Sequence, residues 1–285
     1  MQKAKYPGNK FIIASGVSVI ESSENITVAI DNANIARKSV KDSLKTVCKF
    51  FDSSMKAKIQ RETEITNNME QALKNGEFIV YLQPKIGLEE NKLVGAEALV
   101  RWKKEDDTLI LPNDFIPLFE KNGFVVNLDF YVYEEVCKLL RTWLNEGLQV
   151  VPISVNVSRI QRLVDKYKIP YYLLELELTE SIFLNNTEVA LTTMKDLRKL
   201  GFGVSIDDFG AGYSSLNLLK DMATDVIKLD KEFFGQGEMQ KEERIIVSSI
   251  ISMAKQLNMK VLSEGVETQT QSDFLKSVSC DMAQG

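Results

Sequence analysis

The chain of 285 residues carries 35 Lys and Arg against 40 Asp and Glu, a formal net charge of −5, with 44% hydrophobic and 26% charged residues. That is the composition of an ordinary globular protein, long enough for one large α/β domain or one such domain plus a fragment, and its sign argues against a polymeric nucleic-acid partner. There is no histidine, which removes Ser-His-Asp and Cys-His nucleophilic schemes, His-ligated zinc and imidazole acid–base catalysis.

What remains for chemistry is carboxylates, amides, lysine and a hard, oxygen-loving metal such as Mg²⁺ or Mn²⁺. No apolar run approaches the roughly 20 residues that span a bilayer, so no membrane segment is expected in this chain. Met1–Lys5 lacks the apolar core of a signal peptide. The scattered cysteines Cys48, Cys137 and Cys280 point to a reducing compartment, and the expected location is the cytoplasm.

Residues 1–64 differ from the rest. Phe11–Ile20 is β-rich, Glu24–Lys41 has helical periodicity with Ile26, Ala29, Ile30 and Ala33 on one face, and Thr46–Phe51 reads as a second strand. One helix and two strands are too little for an independent core. Met55–Leu73 is a charged helix, stopped at Asn75-Gly76, that leads into a main domain over residues 65–285.

From Glu77 onward strands and helices alternate. The strand candidates are Phe78–Pro84, Leu93–Trp102, Val150–Ser158, Leu173–Thr179, Gly203–Asp208, Asp225–Asp230, Lys260–Glu264 and Cys280–Gly285. Three amphipathic helices stand out. One carries Leu128, Val132, Val136, Leu139, Leu140 and Trp143, a second Val189, Met194, Leu197 and Leu200, and a third Ile245, Ile246, Ile250, Met253, Ala254 and Leu257. Eight strands alternating with helices predict a TIM-like (β/α)₈ barrel. The alternative, a doubly wound open sheet, is weakened by the lack of G-x-G-x-x-G after the first strand. Residues 159–171 leave room for only a very short crossover helix, unless residues are missing there.

In such a barrel the chemistry sits at the C-terminal strand ends. Those ends carry Gln83, Glu97, Asn156, Glu177, Asp207-Asp208, Lys228 with Asp230, Glu264 and Gln284. Side chains alternate along a strand, so Glu97, Leu99 and Arg101 share a face, as do Ser154 and Asn156, and Lys228 and Asp230. Each residue alone has a bland reading as a solvated strand end. Together, several carboxylates at one barrel mouth repel one another unless cations neutralise them.

The same residues carry a resemblance. Glu97–Trp102 reads EALVRW. Around it, in order, stand Gln83-Pro84, LPNDFIPLFE (Leu111–Glu120), ISVNVS (Ile153–Ser158), LELTES (Leu176–Ser181), DDFGAGYSSL (Asp207–Leu216), IKLD (Ile227–Asp230), SEGVET (Ser263–Thr268) and Gln284-Gly285. Over residues 66–285 the chain resembles EAL domains, the cyclic di-GMP phosphodiesterases. It departs from their usual pattern at Ala211, where Thr is common, and at Ser263, where Ala is common. The closing helix after the last strand is expected to be absent. Residues 1–64 resemble the C-terminal part of a GGDEF domain, through the strand ASGVSV, a helix carrying Ala33, Ala36 and Lys38, and FFDSSM; no GG[DE]EF signature is present.

The resemblance implies metal-dependent hydrolysis of cyclic di-GMP to linear pGpG, with two ions of Mg²⁺ or Mn²⁺. It implies Glu97, Asn156, Glu177, Asp207 and Asp208 as metal ligands. Lys228, Glu264 and Glu97 are then the catalytic groups. Gln83, Leu99, Arg101, Asp230 and Gln284 contact substrate, and Glu180 and Glu267 support the site. It further implies a homodimer through the 209–215 loop. Two alternatives are a receptor that binds cyclic di-GMP without turnover and a purely regulatory dimerisation module.

Overall fold

The computed structural model describes residues 14–20, 25–40, 48–156, 161–179, 182–210, 219–222, 224–234 and 239–285, with only the backbone of 156, 161 and 182–186. It divides into two compact units, one of residues 1–72 with 113–119 and one of 73–112 with 120–285.

In the first unit, β1 (Ser15–Val17) and β2 (Cys48–Phe50) pair in parallel, and α1 (Ile26–Lys38) lies between them in sequence. A Cβ on Gly16 would collide with the backbone of Ala33 and Arg37, so a residue without a side chain lets helix and strand approach. The buried stripe of α1 is Ala29, Asn32 and Ala36. Ile26 and Ile30, expected on the core face, are 67% and 57% exposed, because only small side chains fit where the helix lies this close to the strand. The continuous helix α2 (Ser53–Asn75) runs through the expected boundary at 64/65.

The second unit is a closed barrel. Its strands are β3 (Phe78–Gly87), β4 (Lys92–Lys103), β6 (Ile153–Asn156), β7 (Leu174–Thr179), β8 (Gly203–Phe209), β9 (Val226–Leu229), β10 (Lys260–Ser263) and β11 (Met282–Ala283). They close in the order β3-β11-β10-β9-β8-β7-β6-β4 and back to β3, with the two-residue β5 (Leu109–Ile110) added to β4. Most of α3 (Pro112–Asn122) belongs to the first unit, and the helices of the second are α4 (Val125–Asn145), α5 (Gln161–Tyr167), α6 (Ile182–Leu200), α7 (Lys241–Gln256) and α8 (Gln269–Ser277). The short-crossover reading of residues 159–171 holds in α5, a helix of seven residues.

One strand runs against the rest. β3 is antiparallel to both neighbours, β4 and β11. Only residues 88–91 separate β3 from β4, far short of the roughly 10–12 that a parallel crossover needs. A hairpin is the only connection of that length. β4 pairs with β6 at Ala96 and Glu97, whereas its pairing with β3 continues out to Phe78↔Trp102. The hairpin therefore projects past the ring on the side of the parallel strands' C-terminal ends. Gln83 reaches that mouth from a strand running the other way, and is not a strand end as expected.

Two apolar clusters flank the barrel wall. One joins Val204, Ile206, Ile227, Leu229 and Val261 to Val247, Ile251 and Ala254 of α7. The other joins Ile153, Val155, Leu174 and Leu176 to Val132, Val136 and Leu140 of α4. The α4 face is as expected. Two other helices are rotated from expectation: on α6 the buried positions are Ala190 and Met194, with Val189 59% exposed, and on α7 Ile245 and Ile246 are 54% and 49% exposed. Among the described residues no helix is long and apolar enough to cross a membrane.

Candidate active site

Lys228 is the hub. It lies on β9, is 1% exposed, and sends its ammonium to four carboxylates. Its Nζ is 2.8 Å from Asp207 Oδ1, 2.8 Å from Glu264 Oε1, 3.1 Å from Glu177 Oε2 and 3.4 Å from Glu97 Oε2. These acids come from β4, β7, β8 and the residue just after β10, so the barrel alone assembles them. Burial opposes charge on Lys228, but Glu177, Glu97, Asp207 and Glu264 together outweigh it and hold the ammonium protonated far above the usual lysine range.

The acids respond in the opposite sense. Burial raises Glu177 to about 7, with Glu97 and Asp207 pushing it up against the pull of Lys228 and Lys85. Glu264 is raised first by burial, against the pull of Lys228. Asp208 is raised by burial and then by Asp207 and Asp230.

The Asp207-Asp208 pair owes its shape to a local break in the sheet. Pairing between β8 and β9 shifts register between Ile206 and Phe209, and Asp208 sits at φ 54. A straight strand directs neighbouring side chains to opposite faces; a bulge with one left-handed residue re-aims one of them. Asp accepts this conformation more readily than most residues. Gly210 follows at φ +95, and a Cβ there would run into the Phe233 ring.

Glutamines close the other side. Gln284 Nε2 donates to Glu97 Oε2 at 2.6 Å and to Gln83 Oε1 at 3.1 Å, while Gln83 Nε2 donates to the Gly285 carbonyl at 3.3 Å. A cavity of about 350 Å³ opens over this floor, lined by Gln83, Glu97, Asp207, Lys228, Lys231, Glu264, Glu267 and Gln284 among others. A larger cleft along α7 holds no carboxylate cluster, and a third, of about 450 Å³, is apolar.

Most expected site residues therefore meet: Gln83, Glu97, Glu177, Asp207, Lys228, Glu264 and Gln284 in direct contacts, with Glu267 lining the same cavity. Asp230 lies against Asp208 and accepts the Glu232 N–H at 2.6 Å. Asn156 pairs with Glu177 across the β6–β7 ladder. Leu99 and Arg101 stand higher, on the projecting hairpin opposite Tyr81 and Ile79, outside the carboxylate cluster; Arg101 Nη1 donates to the Val100 carbonyl at 2.9 Å. Glu180 and residues 211–215 lie outside the described residues.

Three residues in or beside the site, Lys85, Glu175 and Lys231, escaped the sequence reading. Lys85 on β3 is 3% exposed and binds Ser154, Glu175 and Glu177. Lys231 lines the cavity. The signal for the first was alternation: Lys85 shares the inward face of Gln83, and Glu175 that of Glu177.

The donor set fits a hard divalent cation. Asp207, Asp208 and Glu264 each offer an oxygen, all within 4.8 Å of one another. Glu97 and Glu177 stand beside them on Lys228. Counting Glu175, five carboxylates contact the ammonium groups of Lys85 and Lys228, and Asp208 stands beside Asp207, so acids outnumber the two lysines six to two. Every donor is an oxygen, which suits Mg²⁺ or Mn²⁺ and not the softer metals.

The sequence profile of the EAL domain matches residues 66–285. The chain is 35% identical over 266 residues to the bifunctional diguanylate cyclase/cyclic di-GMP phosphodiesterase MucR of Pseudomonas aeruginosa, covering 89% of this chain and 39% of that protein. It is 30% identical over 303 residues to the cyclic di-GMP phosphodiesterase NbdA of the same organism, covering 100% of this chain and 39% of that protein. The chain thus spans about two fifths of these relatives. Among solved structures, the PaMucR phosphodiesterase in complex with c-di-GMP superposes with a TM-score of 0.73 at 33% identity, over 78% of this chain and 94% of that one.

Proposed function

The chain belongs to the EAL domain family, and we propose that it hydrolyses one phosphodiester bond of cyclic di-GMP to give linear pGpG, using two ions of Mg²⁺ or Mn²⁺. The observation that carries this reading is the excess of carboxylates gathered around Lys228 at the floor of an open cavity. The likeness to the PaMucR phosphodiesterase complex supports the substrate.

Glu97, Asn156, Glu177, Asp207 and Asp208 would hold the ions. Ions bound there supply Lewis acidity toward water and toward the oxygens that attack and leave phosphorus. Lys228, kept protonated by its four acids, orients an oxygen nucleophile and stabilises its charge; it is unsuited to accept a proton. Glu264, raised by burial and open to the cavity, is the better proton acceptor. Lys231 lines the same cavity and suits a phosphate oxygen, as does Arg101 on the hairpin above. Gln83, Gln284, Leu99 and Asp230 serve as substrate contacts, with Glu180 and Glu267 in support.

The test is incubation with cyclic di-GMP and Mn²⁺, followed by chromatography of the nucleotides. Release of pGpG is expected. Tight binding without cleavage would leave the receptor reading in place of the enzyme, and absence of binding would remove both. Ca²⁺ is expected to inhibit, since it prefers looser, higher coordination.

The proposal extends to a cytoplasmic setting, a homodimer through the 209–215 loop, and descent of residues 1–64 from a GGDEF-like domain. The parallel β1–α1–β2 unit is consistent with the last. Light scattering on wild type and on a loop variant tests the dimer.

A further inference from the structure

We infer that Lys85 is a positioning residue of the active site, one that sets the orientation of the Glu177 carboxylate from the opposite side of the barrel. The inference rests on the proposed role of Glu177 as a metal ligand.

Glu177 is pinned at both oxygens by different strands. Oε2 accepts from Lys228 at 3.1 Å, and Oε1 accepts from Lys85 at 3.2 Å. β3, which carries Lys85, pairs with β4 and β11 and not with β7, so the lysine spans the barrel interior to reach its partner. Its cross-strand neighbour is Gly95, which puts no side chain beside the lysine stem. A register shift follows directly after Lys85 in the β3–β4 pairing.

All three ammonium donors of Lys85 are committed. Besides Glu177 they go to Ser154 Oγ and, at 2.9 Å, to Glu175 Oε1. Ser154 in turn donates to the same Glu175 oxygen at 2.8 Å. A fully engaged, buried ammonium has one low-energy position, and whatever it touches is held with it. Glu177 is 4% exposed, and with an oxygen on each lysine its carboxylate plane is fixed before any ligand arrives.

A simpler account is that Lys85 only neutralises Glu175. The two accounts separate in the double variant Lys85→Met/Glu175→Gln, which removes one charge of each sign and leaves the net charge of the interior unchanged. Lys85→Met alone strands two buried carboxylates and is a poor test, because it risks unfolding. The double variant and Glu175→Gln would first be confirmed folded by circular dichroism. Mn²⁺ binding would then be measured by electron paramagnetic resonance, and turnover of cyclic di-GMP at saturating Mn²⁺.

For the double variant the expected result is a Mn²⁺ dissociation constant raised about 10- to 100-fold, the range seen when a support group behind a metal ligand is lost. kcat should fall with KM for cyclic di-GMP unchanged, and Glu175→Gln should bind Mn²⁺ like wild type. The inference is overturned if the folded double variant binds Mn²⁺ and turns over as wild type does, or if Glu175→Gln alone loses as much. Wild-type protein that binds no Mn²⁺ would instead overturn the proposed function on which it rests.

Discussion

Asp207 and Asp208 are adjacent in sequence, yet their carboxylates reach within 4.8 Å of each other and of Glu264. Strand alternation alone would part them. The register break in β8 and the φ of 54 at Asp208 bring them together. The geometry stores repulsion, since Asp208 is raised by burial and then by Asp207 and Asp230. A cation bound there would relieve it.

Asp208→Asn tests this relationship. Asn adopts the same left-handed backbone without strain, so the bulge survives. Removing one of two crowded charges should raise Tm in metal-free buffer, while hydrolysis of cyclic di-GMP falls on the order of 100-fold through loss of the proposed ligand. A variant both less stable and fully active would contradict the assignment. Differential scanning calorimetry and a turnover assay read the two effects.

Lys228→Met keeps most of the length of the side chain and removes the ammonium shared by four acids. Truncating one partner of a buried ion cluster costs about 3–5 kcal/mol. Urea denaturation should show a loss of that order in chelator, and Mg²⁺ should recover part of it by binding the folded state alone. Turnover should stay lost in Mg²⁺, because the charge beside the nucleophile is gone. A variant as stable as wild type in chelator would mean the cluster is not charged as described.

Much of this site was legible because a barrel converts a linear order of strand ends into a ring. Glu97, Glu177, Asp207, Lys228, Glu264 and Gln284 each stand at or near such an end, and each arrives. Lys85 and Glu175 were missed because they lie two residues further into the barrel, where alternation predicts an inward side chain but apolar filling is the default. The antiparallel β3 was also readable: Lys85–Lys92, eight residues between the expected strands, is too short for a crossover. Helix faces failed for a different reason. On α1 and α7 the isoleucines set the apparent stripe; on α1 the close approach of β1 admits only small side chains, while on α7 burial follows the position of the helix on the barrel, where one residue of offset turns the stripe by about 100°.

The α7 offset gives a direct check. Ile251 is fully buried and Ile245 is 54% exposed. Ile251→Ala should cost about 2–5 kcal/mol and Ile245→Thr no more than about 0.5 kcal/mol in urea denaturation. Equal costs would restore the face read from periodicity.

Asp129 on α4 gives a pH signature away from the site. Burial, helped by Glu120, raises its pKa to about 6 in the folded chain from 3.8. The folded state therefore binds the proton more tightly than the unfolded one. The ionised carboxylate destabilises the fold above pH 6, and the penalty fades as pH falls through 6 toward 3.8. Asp129→Asn should thus stabilise at pH 8, by about 1 kcal/mol after allowing for its partial exposure to solvent, and have no effect near pH 4. Thermal melts of both proteins at the two pH values decide it; a gain that persists at pH 4 would point to packing.

Gly210 carries two constraints that substitution can separate. Its φ of +95 disfavours any L side chain, and a Cβ would strike the Phe233 ring. Gly210→Ala should cost more than about 1 kcal/mol from backbone strain alone, with the ring contact adding to it. Phe233→Leu makes room beside position 210, so in the double variant the clash is relieved while the strain stays. The expected coupling in a double-mutant cycle is favourable, about 0.5–3 kcal/mol. Because Gly210 lies two residues after Asp208, the single variant should also weaken Mn²⁺ binding, and the double should recover part of it. Strict additivity would show that Phe233 does not pack on this turn, and that the bulge behind Asp207-Asp208 is held by other contacts.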